Sequence, residues 1–322
     1  MPDFDVLVLG DLNPDVIVRG DRLRPAFGQR EQAVDEITLT VGSSAGIFAC
    51  GATRLGLRVA LIGVVGADAF GTFMLDTLSE RGVDVYHCRV DPTKPSGASV
   101  VLSEPGDRAI LTAAGAMATL SGTDVPERLL RASRHVHVAS YFLLPDLQPA
   151  IPRILETARG SGATTSMDTN WDPRGAWSGL AEALARTGVA FPNEAEATAL
   201  TGRGTVQEAG QSLLQMGVQL VVIKRGSDGA IAIMADEPAI ERPAMRVTPL
   251  DTTGAGDSFD AGFIAGRLAG MSIAASLDLA IACGSLSTRS AGGTAGQPTR
   301  DEALAAIGSA TTPDPPDTVA AP

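Results

Sequence analysis

The most informative segment of the chain reads Asp251-Thr252-Thr253-Gly254-Ala255-Gly256-Asp257-Ser258-Phe259. Phe259 and Phe263 are four residues apart, which predicts a helix that begins at about Asp257. The small residues of the turn let backbone N–H groups approach a ligand, and the first amides of a helix attract an anion. The segment is therefore predicted to hold a phosphate group with main-chain atoms alone.

Asp257 places a carboxylate at the edge of this predicted anion site. Aspartate is a frequent N-cap of helices, so one interpretation gives the residue a structural role only. The other interpretation makes it a general base, which takes a proton from a hydroxyl group while the hydroxyl oxygen attacks the bound phosphorus. Residue type and position leave both interpretations open, and the cap is the commoner use of aspartate.

The charge balance argues against a nucleic-acid partner. The chain carries 37 acidic and 25 basic residues, a net charge of −12, whereas binding a phosphate backbone requires a basic surface. Only Lys94 and Lys224 are lysines, and neither precedes Ser or Thr, which excludes a Walker A loop. The H-R-D and D-F-G triplets of protein kinases do not occur either. Any phosphate-binding site in this chain must therefore differ from a Walker A loop and from the site of a protein kinase.

The cysteines and the N-terminal residues indicate in which cellular compartment the protein is expected. Cys50, Cys88 and Cys283 are too scattered for a disulfide framework or a zinc site, and they fit a reducing environment. The N-terminus is acidic where a signal peptide would be basic, and no uninterrupted apolar run approaches about 18 residues. We therefore expect a cytoplasmic protein with no membrane partner.

Short apolar runs alternate along the chain with longer segments of helical spacing. Most runs are continuous, as is typical of parallel strands buried on both faces. This alternation predicts an α/β fold, a doubly wound and mainly parallel sheet with helices on both faces. The predicted strands are Val6–Leu9, Val59–Ile62, His135–Ala139, Thr164–Met167, Val189–Phe191 and Leu220–Ile223. The predicted helices are Ala45–Leu55, Ala69–Arg81, Leu147–Arg159, Gly175–Arg186, Val206–Met216 and Ser258–Leu268.

Two inserts, Ile17–Leu39 and Asp84–Thr112, lack this alternation. Strand-like pieces without crossover helices form antiparallel sheets, so we predict a small β-sheet lid over the main domain, with ordinary surface hairpins as the alternative. One α/β domain is thus expected over residues 1–308, with a lid from about 17–39 and 84–112. Residues 309–322 contain four prolines and no apolar period, which predicts a disordered tail. The pieces predicted as strands in the second insert are Val85–Val90, Ala98–Leu102 and Ala109–Thr112.

Residues 251–257 match the D-T-T-G-A-G-D signature of the ribokinase-like (PfkB) family of sugar and nucleoside kinases, and the chain resembles that family in several further motifs. Gly10–Asp15 resembles the G-x-x-N-x-D start of the sugar site, Val41–Gly46 the glycine-rich sugar loop, and Gly63–Gly71 the first signature. The resemblance extends from about Val6 to Arg300 and implies the same fold. Further motifs in the family's order are Gly82-Val83-Asp84, Asp168-Thr169-Asn170 and Asn193-Glu194-Ala195-Glu196.

The resemblance implies an ATP-dependent, Mg²⁺-requiring kinase in which Asp257 is the catalytic base. The amides of Gly254, Ala255 and Gly256 would then neutralise the transferring phosphoryl group. Asn193 and Glu196 fit the family's N-x-x-E motif, which implies a role in arranging Mg²⁺ and phosphate, through water. The alternative for this pair is a helix start, with the asparagine as N-cap and the glutamate as third residue.

Asn13 and Asp15 follow the first predicted strand two residues apart, which in an extended chain puts both side chains on one side. A paired amide and carboxylate suit adjacent sugar hydroxyls, and the alternative is an Asx turn around Pro14. The glycines of the sugar loop would let the main chain approach the sugar closely. The predicted substrate-binding residues are Asn13, Asp15, Gly42, Ser43, Gly46 and Asp257.

The segment Lys224–Gly229 follows the strand Leu220–Ile223 and resembles the family's nucleotide loop. The carboxyl end of a parallel strand suits contact with phosphates or ribose, whereas a solvated Lys-Arg turn is the alternative. Asp251 and Thr253, with the glycine-rich loop Ser285–Gly293, occupy the region where many relatives hold a monovalent cation, which implies a K⁺ site. The predicted nucleotide-binding residues are Asn193, Glu196, Lys224, Gly226, Gly229, Gly254 and Gly256.

Departures from the family pattern bear on the substrate. Gly46 and Met117 stand where relatives have Asn, which favours an acceptor that is bulkier or less hydroxylated than ribose. Asp172 stands where kinases of keto-deoxy sugar acids have an arginine, and it would repel a carboxylate; Arg174 follows two residues late. This change argues against a sugar-acid substrate.

The sequence thus predicts a kinase that transfers the ATP γ-phosphate to a primary hydroxyl of a small carbohydrate. The alternative enzyme is a nucleoside kinase of the same fold, and the alternative class is a non-catalytic sugar or nucleotide sensor. An intact Asp257 beside an anion site argues against the sensor. Lids in this family often pair, and the apolar residues Val34, Ile37 and Leu39 offer an edge for a homodimer.

Overall fold

The computed structural model describes residues 2–104 and 107–310. Fourteen strands lie within these ranges. In chain order they are β1 (Phe4–Leu9), β2 (Pro14–Arg19), β3 (Glu36–Val41), β4 (Val59–Ile62), β5 (Val64–Gly66), β6 (Arg89–Asp91), β7 (Ala98–Glu104), β8 (Asp107–Ala113), β9 (Ser133–Ala139), β10 (Thr164–Asp168), β11 (Val189–Ala190), β12 (Leu220–Lys224), β13 (Ala230–Met234) and β14 (Ile240–Arg242).

Eight of these strands form the main sheet, in the order β14-β13-β12-β11-β10-β9-β1-β4. The strands from β12 to β4 are parallel, and β13 and β14 extend the sheet as antiparallel strands. Two apolar cores lie on its two faces, because side chains alternate along each strand: Val6 and Val8 belong to one core, Leu7 and Leu9 to the other. The predicted doubly wound α/β architecture is confirmed.

Ten α-helices occur in the same ranges and connect the strands. They are α1 (Ser44–Arg54), α2 (Ala69–Glu80), α3 (Glu127–Arg131), α4 (Ile151–Gly160), α5 (Ala181–Leu184), α6 (Glu194–Thr201), α7 (Val206–Gln215), α8 (Ala255–Leu268), α9 (Ile273–Ser287) and α10 (Arg300–Ala310). Helix α8 packs against α1 and α9, which places the start of α8 beside the start of α1. No helix in the described residues has both the length and the apolar character needed to cross a membrane.

A second sheet, made of β3, β2, β7 and β8 in that order, lies apart from the main sheet. β2 and β7 are parallel, and the two outer pairs are antiparallel. Ile17 and Val101 are buried under this sheet, whereas apolar side chains of the outer strands, including Ile37 and Leu111, are exposed. The second sheet corresponds to the predicted lid. Its first two strands, however, cover Pro14–Val41 and not only the predicted Ile17–Leu39, because β2 begins soon after β1 ends.

Some predicted elements differ from the structure. The piece Val85–Val90 does not join the second sheet; instead β6 pairs with β5 in a separate two-stranded sheet. The predicted helix Gly175–Arg186 is reduced to α5, because Gly175, Trp177 and Gly179 have positive φ angles of 65°, 47° and 87° that a helix cannot contain. Of the predicted tail, residues 309 and 310 belong to α10, and residues 311–322 lie outside the described ranges.

Candidate active site

Polar residues follow several strands where these end at the same edge of the main sheet. In such sheets ligands bind at the carboxyl ends of the strands, where the strand order reverses, and here that point lies between β1 and β9. Asp11 follows β1, Ser140 follows β9 and Asn170 follows β10. All three side chains line one cavity, so the topology itself places a polar cavity at this edge.

This first cavity has a volume of about 210 Å³, and both Asn13 and Asp15 line it. Asn13 Nδ2 lies 3.3 Å from Asp15 Oδ1 and 3.1 Å from Ser99 Oγ. Burial, with the negative charge of Asp11 as a second cause, raises the pKa of Asp15 to about 7. The predicted amide and carboxylate therefore lie side by side, at a site where the carboxylate takes up a proton readily.

The sugar-loop residues lie at the start of α1, but they do not all reach the cavity. Ser43 is the N-cap with a φ of 63°, its Oγ accepts the N–H of Gly46, and its side chain lines the cavity. A Cβ at Gly42 would lie 2.2 Å from Asp15 Oδ1, so only glycine fits there. Gly46 does not line the cavity; a Cβ there would lie 2.7 Å from Ser43 Oγ and 3.3 Å from Val41. The expectation that Gly46 favours a bulkier acceptor thus has no support in this geometry.

Helix α8 begins at Ala255, two residues before the predicted start. Gly254 is its N-cap with a φ of 70°, and Asp257 is the third helical residue. The interpretation of Asp257 as an N-cap is therefore wrong, because the left-handed backbone at the cap is supplied by the glycine. Asp257 instead lines the first cavity, as does Ser44, whose hydroxyl favours the ionised form of this carboxyl group.

Asp257 is partly buried, and its side chain lines the first cavity. Desolvation is the largest cause of its altered acidity, and the negative charge of Asp168 acts in the same direction, so the pKa of Asp257 rises to about 8. The positive charge of Lys224 opposes this rise. A carboxyl group with a pKa near neutrality can accept and release a proton at working pH, which suits a general base.

Lys224 lies beneath the turn Gly254–Gly256 in a buried cluster with two carboxylates. Its Nζ is 2.7 Å from Asp168 Oδ2 and 3.2 Å from Asp260 Oδ2. Burial would lower the pKa of Lys224, but the charges of these carboxylates raise it well above its usual value. Burial raises the pKa of Asp260, whereas the charge of Lys224 helps to lower the pKa of Asp168. Lys224 Nζ also lies 3.3 Å from where a Cβ of Gly256 would stand, so a fixed positive charge lies directly behind the turn.

A second cavity of about 520 Å³ lies on the other side of the turn. Ala255 and Gly256 line it, whereas Gly254 and Asp257 line the first cavity, so the turn Gly254–Gly256 separates the two. The predicted nucleotide residues Lys224, Gly226 and Gly229 line the second cavity as well. Its apolar lining includes Met245, Val247, Pro249, Phe259 and Ile281.

Asn193 and Glu196 form the start of α6 and are not among the residues that line either cavity. Asn193 Oδ1 accepts the Glu196 N–H at 2.8 Å, and Glu196 Oε2 accepts the Asn193 N–H at 2.9 Å, which is a capping box. Burial, then the charge of Asp168, raises the pKa of Glu196 to about 7. The helix-start interpretation thus describes the geometry, and a role with Mg²⁺ stays a prediction.

The described residues contain no group of three or more His, Cys, Asp or Glu side chains that could hold a metal ion. In kinases, however, Mg²⁺ is held mainly by substrate phosphates and water with one or two carboxylates. Asp168 is paired with Lys224, so Glu196, whose pKa the charge of Asp168 raises, is the carboxylate that offers such a contact. The donor set therefore fits a Mg²⁺ that ATP brings and that the protein contacts through water.

Asp251, predicted to help hold a monovalent cation, has a carboxylate with three partners. Its Oδ1 accepts the Thr253 N–H at 2.9 Å, and its Oδ2 accepts the Gly292 N–H at 2.9 Å and Nη2 of Arg19 at 3.0 Å. Burial would raise the pKa of Asp251, but the two amides and the Arg19 charge lower it. A monovalent cation on this carboxylate would lie against a guanidinium group, so these residues do not fit a K⁺ ion. The loop expected from Ser285 also begins later, because α9 continues to Ser287.

Two residues that the sequence analysis did not single out belong to the site. Asp260 lies three residues after Asp257 on α8, and that spacing could have indicated it. Arg108 of β8 lines the first cavity, and its Nη1 lies 3.2 Å from Thr253 Oγ1. No local pattern in the sequence indicates Arg108, because its partner is 145 residues away.

The other departures from the family pattern lie away from the cavity. Met117 is fully buried. Asp172 is also buried, and its carboxylate accepts the N–H groups of Arg174, Ala176 and Trp177. The expectation that Asp172 repels a carboxylate substrate is therefore wrong, because this side chain holds the following loop instead of facing the substrate.

Comparison with known proteins gives concordant matches over nearly the whole chain. The model of the pfkB family carbohydrate kinases matches residues 3–300. An ATP-dependent ribose-1-phosphate kinase from Halopiger xanaduensis is 33% identical over 301 residues, covering 93% of this chain and 97% of that protein. A 2-dehydro-3-deoxygluconokinase from Bacillus subtilis is 28% identical over 304 residues, covering 89% and 94%. Among solved structures, an E. coli protein named ribokinase II, in complex with ATP and Mg²⁺, has a TM-score of 0.84 at 26% identity, covering 95% of this chain and 99% of that one.

Proposed function

This chain belongs to the pfkB family of carbohydrate kinases, and we propose that it transfers the γ-phosphate of ATP to a primary hydroxyl of a small sugar with Asp257 as the general base. ATP-dependent phosphorylation of a carbohydrate follows from the family. The single observation that carries the finer proposal is the position of the turn Gly254–Gly256 between two cavities, with Asp257 on the side of the polar one.

In this mechanism the sugar lies in the first cavity and the triphosphate in the second. The hydroxyl oxygen attacks the γ-phosphorus, its proton passes to Asp257, and the bond from the γ-phosphorus to the bridging oxygen of ADP breaks. The amides of the turn stabilise charge on the transferring group, as phosphoryl transfer depends mainly on positioning and electrostatics. Lys224, held by Asp168 and Asp260 behind the turn, adds fixed positive charge there.

For the donor, we assign the nucleotide to the second cavity, with Gly226, Gly229 and Lys224 in its wall. Mg²⁺ would be bound by the ATP phosphates and contacted through water by Glu196, where it offsets phosphate charge. Asn193 then acts by holding Glu196 in the capping box. A monovalent cation is not part of the proposal, because Asp251 is paired with Arg19.

A small sugar is favoured as acceptor by the size and chemistry of the first cavity. It measures about 210 Å³, and none of the described residues that line it is aromatic, whereas a nucleoside base usually stacks on aromatic or broad apolar surfaces. Asn13, Asp15 and Ser43 offer polar groups for sugar hydroxyls. The nucleoside kinase and the non-catalytic sensor remain as outcomes of the test below.

A specific observation favours a second acceptor class, anionic sugars. Arg108 lines the first cavity, and Asp172, which had argued against a carboxylate, does not. A guanidinium group binds phosphate or carboxylate in a bidentate manner, so a sugar phosphate or a sugar acid could place its anion there.

We further propose that residues 1–308 act as one kinase domain and that the second sheet closes the first cavity as a lid, since Arg108, Ser99 and Thr112 of that sheet line it. The exposed Ile37, Leu39 and Leu111 would support pairing of two lids in a homodimer. Light scattering after gel filtration measures this directly, and a monomer at micromolar concentration contradicts the pairing.

A substrate panel tests the proposed function. Purified protein with Mg-ATP is assayed for ADP release with ribose, fructose, ribose 1-phosphate, 2-keto-3-deoxygluconate, adenosine and cytidine. Phosphorylation of one of the first four supports the sugar kinase, and turnover restricted to a nucleoside supports the alternative. Tight binding of one compound without turnover supports the sensor. The variant Asp257→Asn serves as the control, because its ADP release reports ATP hydrolysis that does not depend on the base.

A further inference from the structure

Arg19 links the second sheet to the segment that leads into the phosphate-binding turn. It is the last residue of β2, and its Nη2 donates to Asp251 Oδ2 at 3.0 Å. The side chains are 25% and 11% exposed, so water screens this pair only in part. The other guanidinium nitrogen, Nη1, lies 3.6 Å from Glu36 on β3, which helps to hold the arginine in place.

The carboxylate of Asp251 joins two loops that touch the turn. Through the N–H groups of Thr253 and Gly292 it ties the segment before α8 to the loop after α9. The two loops are tightly packed, since a Cβ at Gly254 would lie 2.8 Å from Gly293 Cα. The position of the N-cap of α8, and with it the direction of the first amides, therefore depends on a carboxylate that stays ionised and in place.

A partly buried carboxylate close to a phosphate-binding turn needs a positive partner, because its own charge would otherwise repel the phosphate. A dissolved monovalent cation can serve as this partner, and so can a fixed side chain. In this chain the fixed side chain is present, and it occupies Oδ2 of Asp251. A second cation there would meet the guanidinium charge at close range.

We infer that Arg19 performs permanently at Asp251 the task of a dissociable monovalent cation, so that phosphate binding by this protein is independent of K⁺. Arg19 acts through Asp251 on the turn and is a positioning residue, without contact to the substrates. The inference rests on the proposed role of Gly254–Gly256 in binding phosphate. It also makes the anion site dependent on the second sheet, from which the arginine comes.

The test measures nucleotide binding and thermal unfolding, which need no knowledge of the sugar. The full chain is titrated with Mg-AMPPNP in a calorimeter, in 150 mM choline chloride and in 150 mM KCl, so that ionic strength is constant. The melting temperature is recorded in both salts. The variants are Arg19→Met, which keeps the length of the stem without the charge, and Arg19→Lys, which keeps a charge. Arg24→Met is the matched control, since Arg24 lies in the segment between β2 and β3 of the second sheet but pairs with Glu104 and not with Asp251.

For the wild type and Arg24→Met we expect the affinity for Mg-AMPPNP to differ by less than about twofold between the two salts. Their melting temperatures should differ by less than about 1 °C. Arg19→Met should bind Mg-AMPPNP about tenfold more weakly in choline chloride and recover most of that loss in KCl. Arg19→Lys should stay close to the wild type. A wild type that binds Mg-AMPPNP clearly more tightly or melts at a clearly higher temperature in KCl overturns the inference. An Arg19→Met that binds weakly in both salts, or as tightly as the wild type in both, also overturns it.

These outcomes are separable from a failure of the proposed function. If the wild type phosphorylates none of the sugars, its melting temperature and nucleotide affinity still report on the cation. If Arg19→Met does not fold, the comparison of the wild type with Arg19→Lys in the two salts still decides the matter, because tighter nucleotide binding or a higher melting temperature of the wild type in KCl refutes the inference. Mg-AMPPNP that does not bind the wild type at all would instead contradict the proposed nucleotide site.

Discussion

Arg108 Nη1 in the second sheet lies 3.2 Å from the hydroxyl of Thr253, the residue immediately before the N-cap of α8. The two residues are 145 positions apart in the chain. The positive charge of Arg108 also reaches Asp15, where it opposes the rise in the pKa of that carboxyl group. One side chain of the second sheet thus acts on both the segment before α8 and the carboxylate of Asp15.

Replacing Arg108 distinguishes the two acceptor classes. If the acceptor is anionic, Arg108→Ala should raise its KM about 10- to 100-fold, because a charge-assisted bidentate contact is lost. For a neutral sugar we expect a change in KM of less than about threefold. Steady-state kinetics with the best substrate of the panel measures this. Arg108→Lys is the matched control, which should keep part of the affinity, and equal KM values for an anionic acceptor in wild type and Arg108→Ala would refute the contact.

Asp257→Asn should separate catalysis from stability. We expect kcat to fall about 10²- to 10⁴-fold while the affinity for ADP is nearly unchanged, since the proton acceptor is lost and the turn is intact. The folded pKa of about 8 lies above that of an unfolded aspartate, so ionised Asp257 costs stability as pH rises from about 4 to about 8. Because the side chain is partly exposed, we expect Asp257→Asn to gain only about 1–2 kcal/mol at pH 8, roughly 2–4 °C in Tm.

Differential scanning fluorimetry at pH 5 and pH 8 measures the stability part. The gain should be larger at pH 8. Residual kcat within about tenfold of the wild type would show that another group accepts the proton. A stability gain that is equal at both pH values would show that the carboxyl group is not desolvated in the folded protein.

The pH dependence of kcat/KM should follow the ionisation of Asp257. The active form of a general base is deprotonated, so kcat/KM should rise about tenfold per pH unit below neutrality and level off at about pH 8. Asp15, with a pKa of about 7, should steepen the acid limb if its carboxylate accepts sugar hydroxyls. Rates measured from pH 5 to 9 at constant ionic strength decide this. A profile already flat at pH 6 contradicts the raised pKa, and Asp257→Asn should lack the upper inflection.

Gly254→Ala should damage the anion site through geometry alone. The residue has a φ of 70°, and its Cβ would lie 2.8 Å from both Gly293 Cα and Ile47 Cγ2, so the turn must move. We expect a loss of kcat of about 10²-fold or more and a destabilisation of about 1–3 kcal/mol. Gly308→Ala in α10, where a Cβ meets nothing within 4 Å, is the matched control and should be neutral or slightly stabilising. Wild-type kinetics in Gly254→Ala would mean that these amides do not bind the phosphoryl group.

The main sheet was predictable because a strand that is buried on both faces appears in the sequence as a continuous run of apolar residues. Val59–Ile62 is a run of four apolar residues, and the structure has a strand with those bounds, buried throughout. The segment Gly175–Arg186 has apolar residues at helical spacing and was predicted as a helix. Three residues with left-handed backbone angles and the loop held by Asp172 prevent a helix over most of this segment. Period alone does not report such backbone angles.

The site was predictable where a motif is contiguous and less so where it is assembled from distant segments. The turn Gly254–Gly256 and Asp257 lie together in sequence, and the cavities form on either side of them. Lys224 was expected in the nucleotide loop, yet its closest partners are carboxylates 56 and 36 residues away. Pairing of this kind depends on how strands and helices pack, and nothing in the local sequence around Lys224 records it.

The turn between the cavities also determines how an inhibitor could act. A compound confined to the second cavity meets Met245, Val247 and Phe259, so it would be largely apolar. If the nucleotide binds there as proposed, the compound would compete with ATP whichever sugar is used. A compound confined to the first cavity would have to be small and polar, and its selectivity among related kinases would depend on side chains such as Arg108. A single molecule spanning both would need a linker narrow enough to pass Gly254–Gly256 and acidic enough to bind its amides.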